Sequence, residues 1–309
     1  MTTSLRRAAR SFLPAALLVA IFFASFSLSG CGGESADTTG SDASKPVAFV
    51  YVSWTEGIAM THVLQALVQD SLGHEVTLTQ TGGAAMAFSA VAEGDVDAFV
   101  DAWLPVTHGP LWDEYQDRLV DMGAVYDSTT VGFVVPDYVE AQSVSDLTEM
   151  KDALGGEIIG IESGAAINEQ ARQVLSDNGL GDMRVVPSGD AAMVTALQRA
   201  IERKEPVVVT GWRPHWMWGR FDLRYLDGAQ TGDTDVFGEP EKIHKLLRPK
   251  AREELPTNVV SLLERMHLTS AEMSTLMGAF RPGQNDPLET ARRWISEHPE
   301  VVRPWLATK

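Results

Sequence analysis

Three of the eight tryptophans stand at the ends of short apolar runs. Trp54 closes VAFVYVSW, Trp103 closes DAFVDAW and Trp212 closes PVVVTGW. A tryptophan at the C-terminal end of a strand in an open α/β sheet faces the crevice where such sheets place their ligands. One inside a helical pattern, such as Trp294, fills a core instead. Indole faces meeting from two halves of a chain can surround a cation. A trimethylammonium head has no N–H to donate, so ring faces suit it better than carboxylates do. Each partly desolvated contact contributes about 1–2 kcal/mol, and three together roughly 3–6 kcal/mol. Micromolar affinity needs about 8 kcal/mol. An oriented site for a ligand carboxylate would supply the difference.

Two features suit such an anion site. The turn Ser163–Ile167 (SGAAI) lies between a strand pattern and a helix pattern, where free backbone N–H groups and the helix dipole favour negative charge. His108, just beyond Trp103 in DAWLPVTH, offers an imidazole N–H. Neither is specific alone, because small residues open many helices and histidines are common in loops. Other residues keep plainer roles. His215 and Trp216 support the turn that aims Trp212, Trp218 packs, and Asp101 orients the loop at Trp103 or adds weak negative potential. His62 sits on a predicted helix with no partner at metal-ligand spacing, so no metal site is expected.

The elements that must position these residues follow the grammar of an α/β protein with largely parallel sheets. From Val47 the order is strand, helix (TEGIAMTHVLQALVQDSLG, with Gly73 as C-cap), strand (EVTLTQ), helix (GGAAMAFSAVAEG) and strand (DAFVDAW). A second unit repeats the order from Gly156: EIIGIES, AINEQARQVLSDNG, MRVVPS, AAMVTALQRAIERK and PVVVTGW. The hinge crossing falls in or near VGFVVPDYV and the polar stretch after it. Beyond Gly228 the pattern becomes helix-rich, with Pro287 at the first position of a helix whose apolar face carries Leu288, Ala291, Trp294 and Ile295. The expected division is residues 46–136 plus 236–309 in one lobe and 137–235 in the other.

Residues 1–30 read as a secretory signal. Arg6, Arg7 and Arg10 precede an apolar run, Ala15–Leu28, which leads into LSGC. Small residues before the chain's one cysteine resemble a lipobox, which makes Cys31 the lipidated N-terminus of the mature protein. The alternative is a membrane-spanning helix of about 17 residues, near the lower limit for a bilayer. With Cys31 consumed, no thiol remains for a disulfide, a nucleophile or a thiolate metal site. Residues 31–45 form a flexible tether of small and polar residues. Lys plus Arg number 25 against 42 Asp plus Glu, a formal net charge of −17 over 309 residues, which excludes phosphate-backbone binding as a natural role. The 44% hydrophobic content is ample for a core.

The segments YVSWTEGIAMTHVLQ, GDVDAFVDAWLPVTH, IIGIESGAAI and VVVTGWRPHWMWGRFDLRYLD together resemble the glycine betaine-binding proteins of ABC transporters, the OpuAC or ProX-like family. The resemblance runs from about Val47 to Trp305. It implies a two-lobed periplasmic-binding-protein fold of type II that closes on its ligand. It further implies a box of Trp54, Trp103 and Trp212 around the ammonium head, with the ligand carboxylate held by His108 and the backbone amides of Ala166 and Ile167. The family pattern has glycine where Ala166 stands, a change that matters only if the turn needs positive φ. Some members carry the two halves in the opposite order, so motif spacing is no test. No cofactor is implied; the partners are a small quaternary-ammonium ligand, a permease with its ATPase subunit, and a bacterial membrane reached through the lipid anchor on its extracytoplasmic side. Three other readings stand beside this one. A choline or carnitine binder would share the cage. A hydrolase of choline esters lacks its nucleophile elbow, since GIESG is not GxSxG. A structural envelope lipoprotein would not need three crevice-facing indoles.

Overall fold

The computed structural model describes residues 45–228, 230–231, 234–235, 241–281 and 286–307. The expected signal segment 1–30, Cys31 and the tether except Lys45 lie outside the described residues. Two five-stranded sheets organise the chain. The first is built from β1 (Val47–Val52), β2 (Val76–Thr81), β3 (Ala98–Leu104) and β4 (Val120–Tyr126). The second is built from β5 (Thr130–Pro136), β6 (Glu157–Ile159), β7 (Arg184–Val186), β8 (Val209–Arg213) and β9 (Leu223–Tyr225), in the order β7-β6-β8-β5-β9. The two-residue strands β10 (Gln230–Thr231) and β11 (Thr234–Asp235) pair with each other. A last strand, β12 (Lys242–Leu247), returns to the first sheet and makes its order β2-β1-β3-β12-β4.

Both βαβαβ units form as the periodicity implies. In the first, α1 (Thr55–Ala66) and α2 (Ala84–Ala92) join β1, β2 and β3, and β1 pairs parallel with each neighbour. Lying inside the sheet, β3 is buried at every residue. A short α3 (Gly109–Tyr115) follows it. In the second unit, α4 (Leu147–Met150) precedes β6, while α5 (Ala166–Asp177) and α6 (Asp190–Arg203) make the crossovers. α5 buries Ile167, Ala171, Val174 and Leu175, one face at helical spacing.

The sheets differ from expectation in two respects. Thr130–Pro136 does not belong with the first lobe: it pairs antiparallel with β8 and β9, so the first crossing between sheets falls at residues 127–129 and not after 136. The run GFVVP supplies continuous buried surface, and a strand of that kind sits wherever two neighbours can pair with it. The other difference is β12, in a segment read as helix-rich. It inserts antiparallel between β3 and β4, which makes the first sheet mixed, as the antiparallel β5 makes the second, and neither is largely parallel. Its sequence KIHKLL hides the strand because Lys245 is buried, its Nζ donating to the Met266 carbonyl at 2.7 Å. The two crossing segments touch where the Thr129 N–H donates to the Glu241 carbonyl at 3.1 Å.

The C-terminal helices are α7 (Ala251–Glu254), α8 (Thr257–Arg265), α9 (Ser270–Ala279), α10 (Pro287–Glu297) and α11 (Pro299–Leu306). Pro287 does open α10, and the Asp286 carboxylate caps it by accepting from the N–H groups of Leu288 at 2.8 Å and Glu289 at 3.2 Å. α10 packs on α1 with Trp294 fully buried, its indole N–H donating to Thr275 Oγ1 at 3.0 Å. This cap fixes the helix whose first residue follows Trp54.

Candidate functional site

Turns and strand ends of the two sheets converge on a cavity with about 340 Å³ of atom-free space. Trp54, Glu56, Trp103, Thr107 and His108 line it from the first lobe; Val131, Ile161, Ala165, Ala166, Ile167 and Trp212 line it from the second. Every residue expected in the cage and in the anion site is therefore brought to one place. The concave shape and apolar lining are those of a small-molecule site.

Trp54 follows β1 and is the N-cap residue of α1, Trp103 lies within β3, and Trp212 lies within β8. All three are nearly buried, with 6%, 4% and 3% of their surface exposed. Each indole N–H donates to a carboxylate oxygen: Trp54 to Glu162 at 2.8 Å, Trp103 to Asp101 at 2.9 Å, and Trp212 to Glu56 at 3.0 Å. These bonds fix the ring planes and leave the faces free. Asp101 and Trp103 are two apart on one strand and so share a face. Asp101 does orient the tryptophan, through the ring nitrogen and not through the loop.

The acids behind the rings are electrostatically unusual. Burial, reinforced by nearby Asp101, pushes the Glu56 carboxyl well above the usual carboxylate range. Burial pushes Asp101 up to about 8 against the opposing pull of the Trp103 N–H. Asp101 Oδ2 is buried without a hydrogen-bond partner and faces Gly57, where a Cβ would stand 2.5 Å from it. Burial also raises Glu162.

His108 is 2% exposed, stacked 5.7 Å from Trp54 and edge-on to Phe88. Its Nδ1 accepts the Trp103 backbone N–H at 2.9 Å, which places the ring hydrogen on Nε2. Burial lowers its pKa to about 3, so the ring is a neutral donor at physiological pH. Glu241, just before β12, holds the loop between: its carboxylate accepts from the N–H groups of Val106 and Thr107 and from the Thr107 hydroxyl.

Ala166 and Ile167 form the first turn of α5, whose N-cap, Ala165, has no side chain able to satisfy the free amides. Positive φ in this turn falls on Gly164, at 90°, and not on Ala166, so alanine is unstrained where the family pattern has glycine. Asn168 braces the turn from beneath. Its side chain accepts from the Ile161 N–H at 3.1 Å and donates to the carbonyls of Ile161 at 2.9 Å and Glu162 at 3.0 Å. Gly160 makes room for it, because a Cβ there would lie 2.3 Å from Asn168 Oδ1.

The supporting residues behave as their positions suggest. His215 is buried against Trp212, ring centroids 4.8 Å apart, and its Nε2 donates to Asp190 Oδ1 at 2.9 Å. Trp218 packs on Tyr225, and its N–H donates to the Trp212 carbonyl at 2.7 Å. Glu56, Glu162, Glu241 and Asn168 are the contributors that sequence reasoning misses. Only Glu56 carries a local signal, as an acid two residues after a strand-end tryptophan. Among the described residues no group of three or more His, Cys, Asp or Glu could hold a metal ion.

The family model for the substrate-binding domain of ABC-type glycine betaine transport systems matches residues 45–297. The glycine betaine/carnitine transport binding protein GbuC of Listeria monocytogenes is 37% identical over 150 residues, 48% of either chain, so the match spans about half the length of that relative. Lactococcal OpuAC, solved closed with glycine betaine, is 33% identical with a TM-score of 0.77, covering 85% of this chain and all of that one. The glycine/betaine/L-proline-binding protein ProX of Borrelia burgdorferi is 27% identical with a TM-score of 0.78, covering 85% and 97%. With a two-sheet frame and an aromatic-lined cavity at the strand ends, the chain belongs to the family of substrate-binding domains of ABC-type glycine betaine transport systems.

Proposed function

We propose that this protein captures glycine betaine outside the cytoplasm and hands it to an ABC permease. The convergence of Trp54, Trp103 and Trp212 on one cavity with His108 and the first-turn amides of α5 carries this reading. The indoles take the trimethylammonium head by cation–π attraction. The neutral His108 Nε2–H and the amides of Ala166 and Ile167 take the carboxylate, helped by the α5 dipole. Ligand entry draws the lobes together, and the closed form docks on the membrane permease, whose ATPase subunit supplies the energy. The signal segment and Cys31 supply export and a lipid anchor; the tether gives the folded body its reach.

Binding without catalysis fits the lining. Its one hydroxyl, that of Thr107, is committed to Glu241, and the His108 Nδ1 lone pair is committed to a backbone amide. Choline is the second reading, because Glu56 places an acid in the same cavity that suits a hydroxyl donor; carnitine belongs to the same class.

Calorimetric titration of the soluble protein beginning after Cys31, with glycine betaine and with choline, tests the assignment. Tight betaine binding that is lost in Trp103→Ala supports it. Equal or stronger choline binding overturns the carboxylate site, and binding of neither overturns the quaternary-ammonium reading.

A further inference from the structure

Three consecutive residues at the β1–α1 turn each bond to the second lobe. The Trp54 indole N–H donates to Glu162. The Thr55 hydroxyl donates to Asp190 Oδ2 at 2.7 Å, with the Thr55 N–H on the same oxygen at 3.2 Å. Glu56 accepts the indole N–H of Trp212. Two of the three cage indoles are therefore oriented by an acid on the opposite lobe. The third, Trp103, is oriented by Asp101 on its own strand.

We propose that Glu56 and Glu162 are reciprocal positioning residues: each lobe's carboxyl group fixes the other lobe's indole, so that two walls of the cage acquire their binding geometry only on closure. This rests on the reading that the cavity takes a quaternary ammonium. The physical ground is the number of torsions an indole must hold. A tryptophan ring turns about two side-chain bonds, and a single bond at its edge nitrogen restricts both while leaving the face open. When the lobes part, both cross-cleft bonds break and their groups are hydrated, so the Trp54 and Trp212 rings lose that restraint. When the lobes meet, the Trp212–Glu56 bond reforms in a buried place and the Trp54–Glu162 bond in a half-buried one, where a hydrogen bond is electrostatically stronger and an unpaired N–H is costly. Trp103, bonded to an acid on its own strand, keeps that bond in either state. The acceptor oxygen is the essential feature, not a negative charge, so glutamine can substitute for glutamate.

The test is a double-mutant cycle on affinity and kinetics, using glycine betaine, choline and tetramethylammonium as probes. Glu56→Ala is expected to weaken binding about tenfold through faster dissociation, with the association rate within threefold and the melting temperature of the ligand-free protein nearly unchanged. Glu56→Gln restores most of the affinity. In a Trp212→Phe background, which removes the N–H donor and keeps a ring, Glu56→Ala costs less than threefold. Equal losses in both backgrounds, or no loss in Glu56→Ala, overturn the proposal. If the wild type binds none of the three probes, the ligand reading fails and the indole ¹⁵N–¹H resonances decide the positioning role alone. In protein held closed by a Thr55→Cys/Asp190→Cys disulfide, at the pair that bonds across the cleft, Glu56→Ala must then shift the Trp212 resonance and leave that of Trp103 in place, and an unmoved Trp212 resonance overturns the proposal.

Discussion

Replacing His108 by alanine separates recognition of the ligand's carboxylate from recognition of its cationic head. The ring is 2% exposed, and its Nδ1 is bound to the Trp103 amide, so Nε2–H is the donor it has for a ligand. A hydrogen bond to a charged partner contributes about 1.5–3 kcal/mol. At about 1.4 kcal/mol per tenfold, His108→Ala is expected to weaken glycine betaine binding by about 10- to 150-fold. The same change also orphans the Trp103 amide and removes the ring stacked on Trp54, losses that every ligand of the cage feels alike. Choline reports those shared losses without the carboxylate term. The quantity that tests the reasoning is therefore the ratio of the two affinity changes, measured by calorimetry on one preparation. Betaine is expected to lose at least tenfold more than choline does. The orphaned amide costs about 1–3 kcal/mol of stability, read as a fall of about 2–4 °C in melting temperature per kcal/mol. Equal losses for both ligands would refute the assignment of His108 to the carboxylate. Because burial holds the imidazole at about 3, betaine and tetramethylammonium should show the same pH dependence near pH 6.5; a step there seen with betaine alone would mean that the ring is protonated and not a neutral donor.

Two further outcomes follow from the acids behind the rings. Gly57→Ala puts a methyl group 2.5 Å from Asp101 Oδ2, so the carboxyl must move and the Trp103 ring with it; at least tenfold weaker binding of tetramethylammonium is expected by calorimetry, and an unchanged affinity would show that Asp101 does not hold the ring. The second concerns pH. A bound cation favours the ionised form of nearby carboxyls, so the complex holds fewer protons than the free protein wherever those groups are still protonated. With Asp101, buried within its own lobe, at about 8, affinity for tetramethylammonium, which does not titrate, is expected to rise from pH 6 to pH 9 with proton release. Calorimetry in buffers of different ionisation enthalpy reads that release, and a flat profile would refute it.

The sequence by itself determined the strand-end tryptophans, both βαβαβ units and the C-terminal helical cap, because hydrophobic periodicity and Pro, Gly and Asp signals act over a few residues. It placed Trp54, Trp103, Trp212, His108, Ala166 and Ile167 at element ends, and these six line one cavity. It did not determine where Thr130–Pro136 or Lys242–Leu247 would pair, since a buried strand reads alike in either sheet and a buried lysine disguises the second. Nor did it single out the acceptors Glu56, Glu162 and Glu241, or the brace Asn168. Glu162 meets Trp54 across 108 residues, and Glu56 meets Trp212 across 156. Such pairs have no local period to betray them; only the folding of two sheets against one another brings an acid to an indole nitrogen, and there burial decides its protonation.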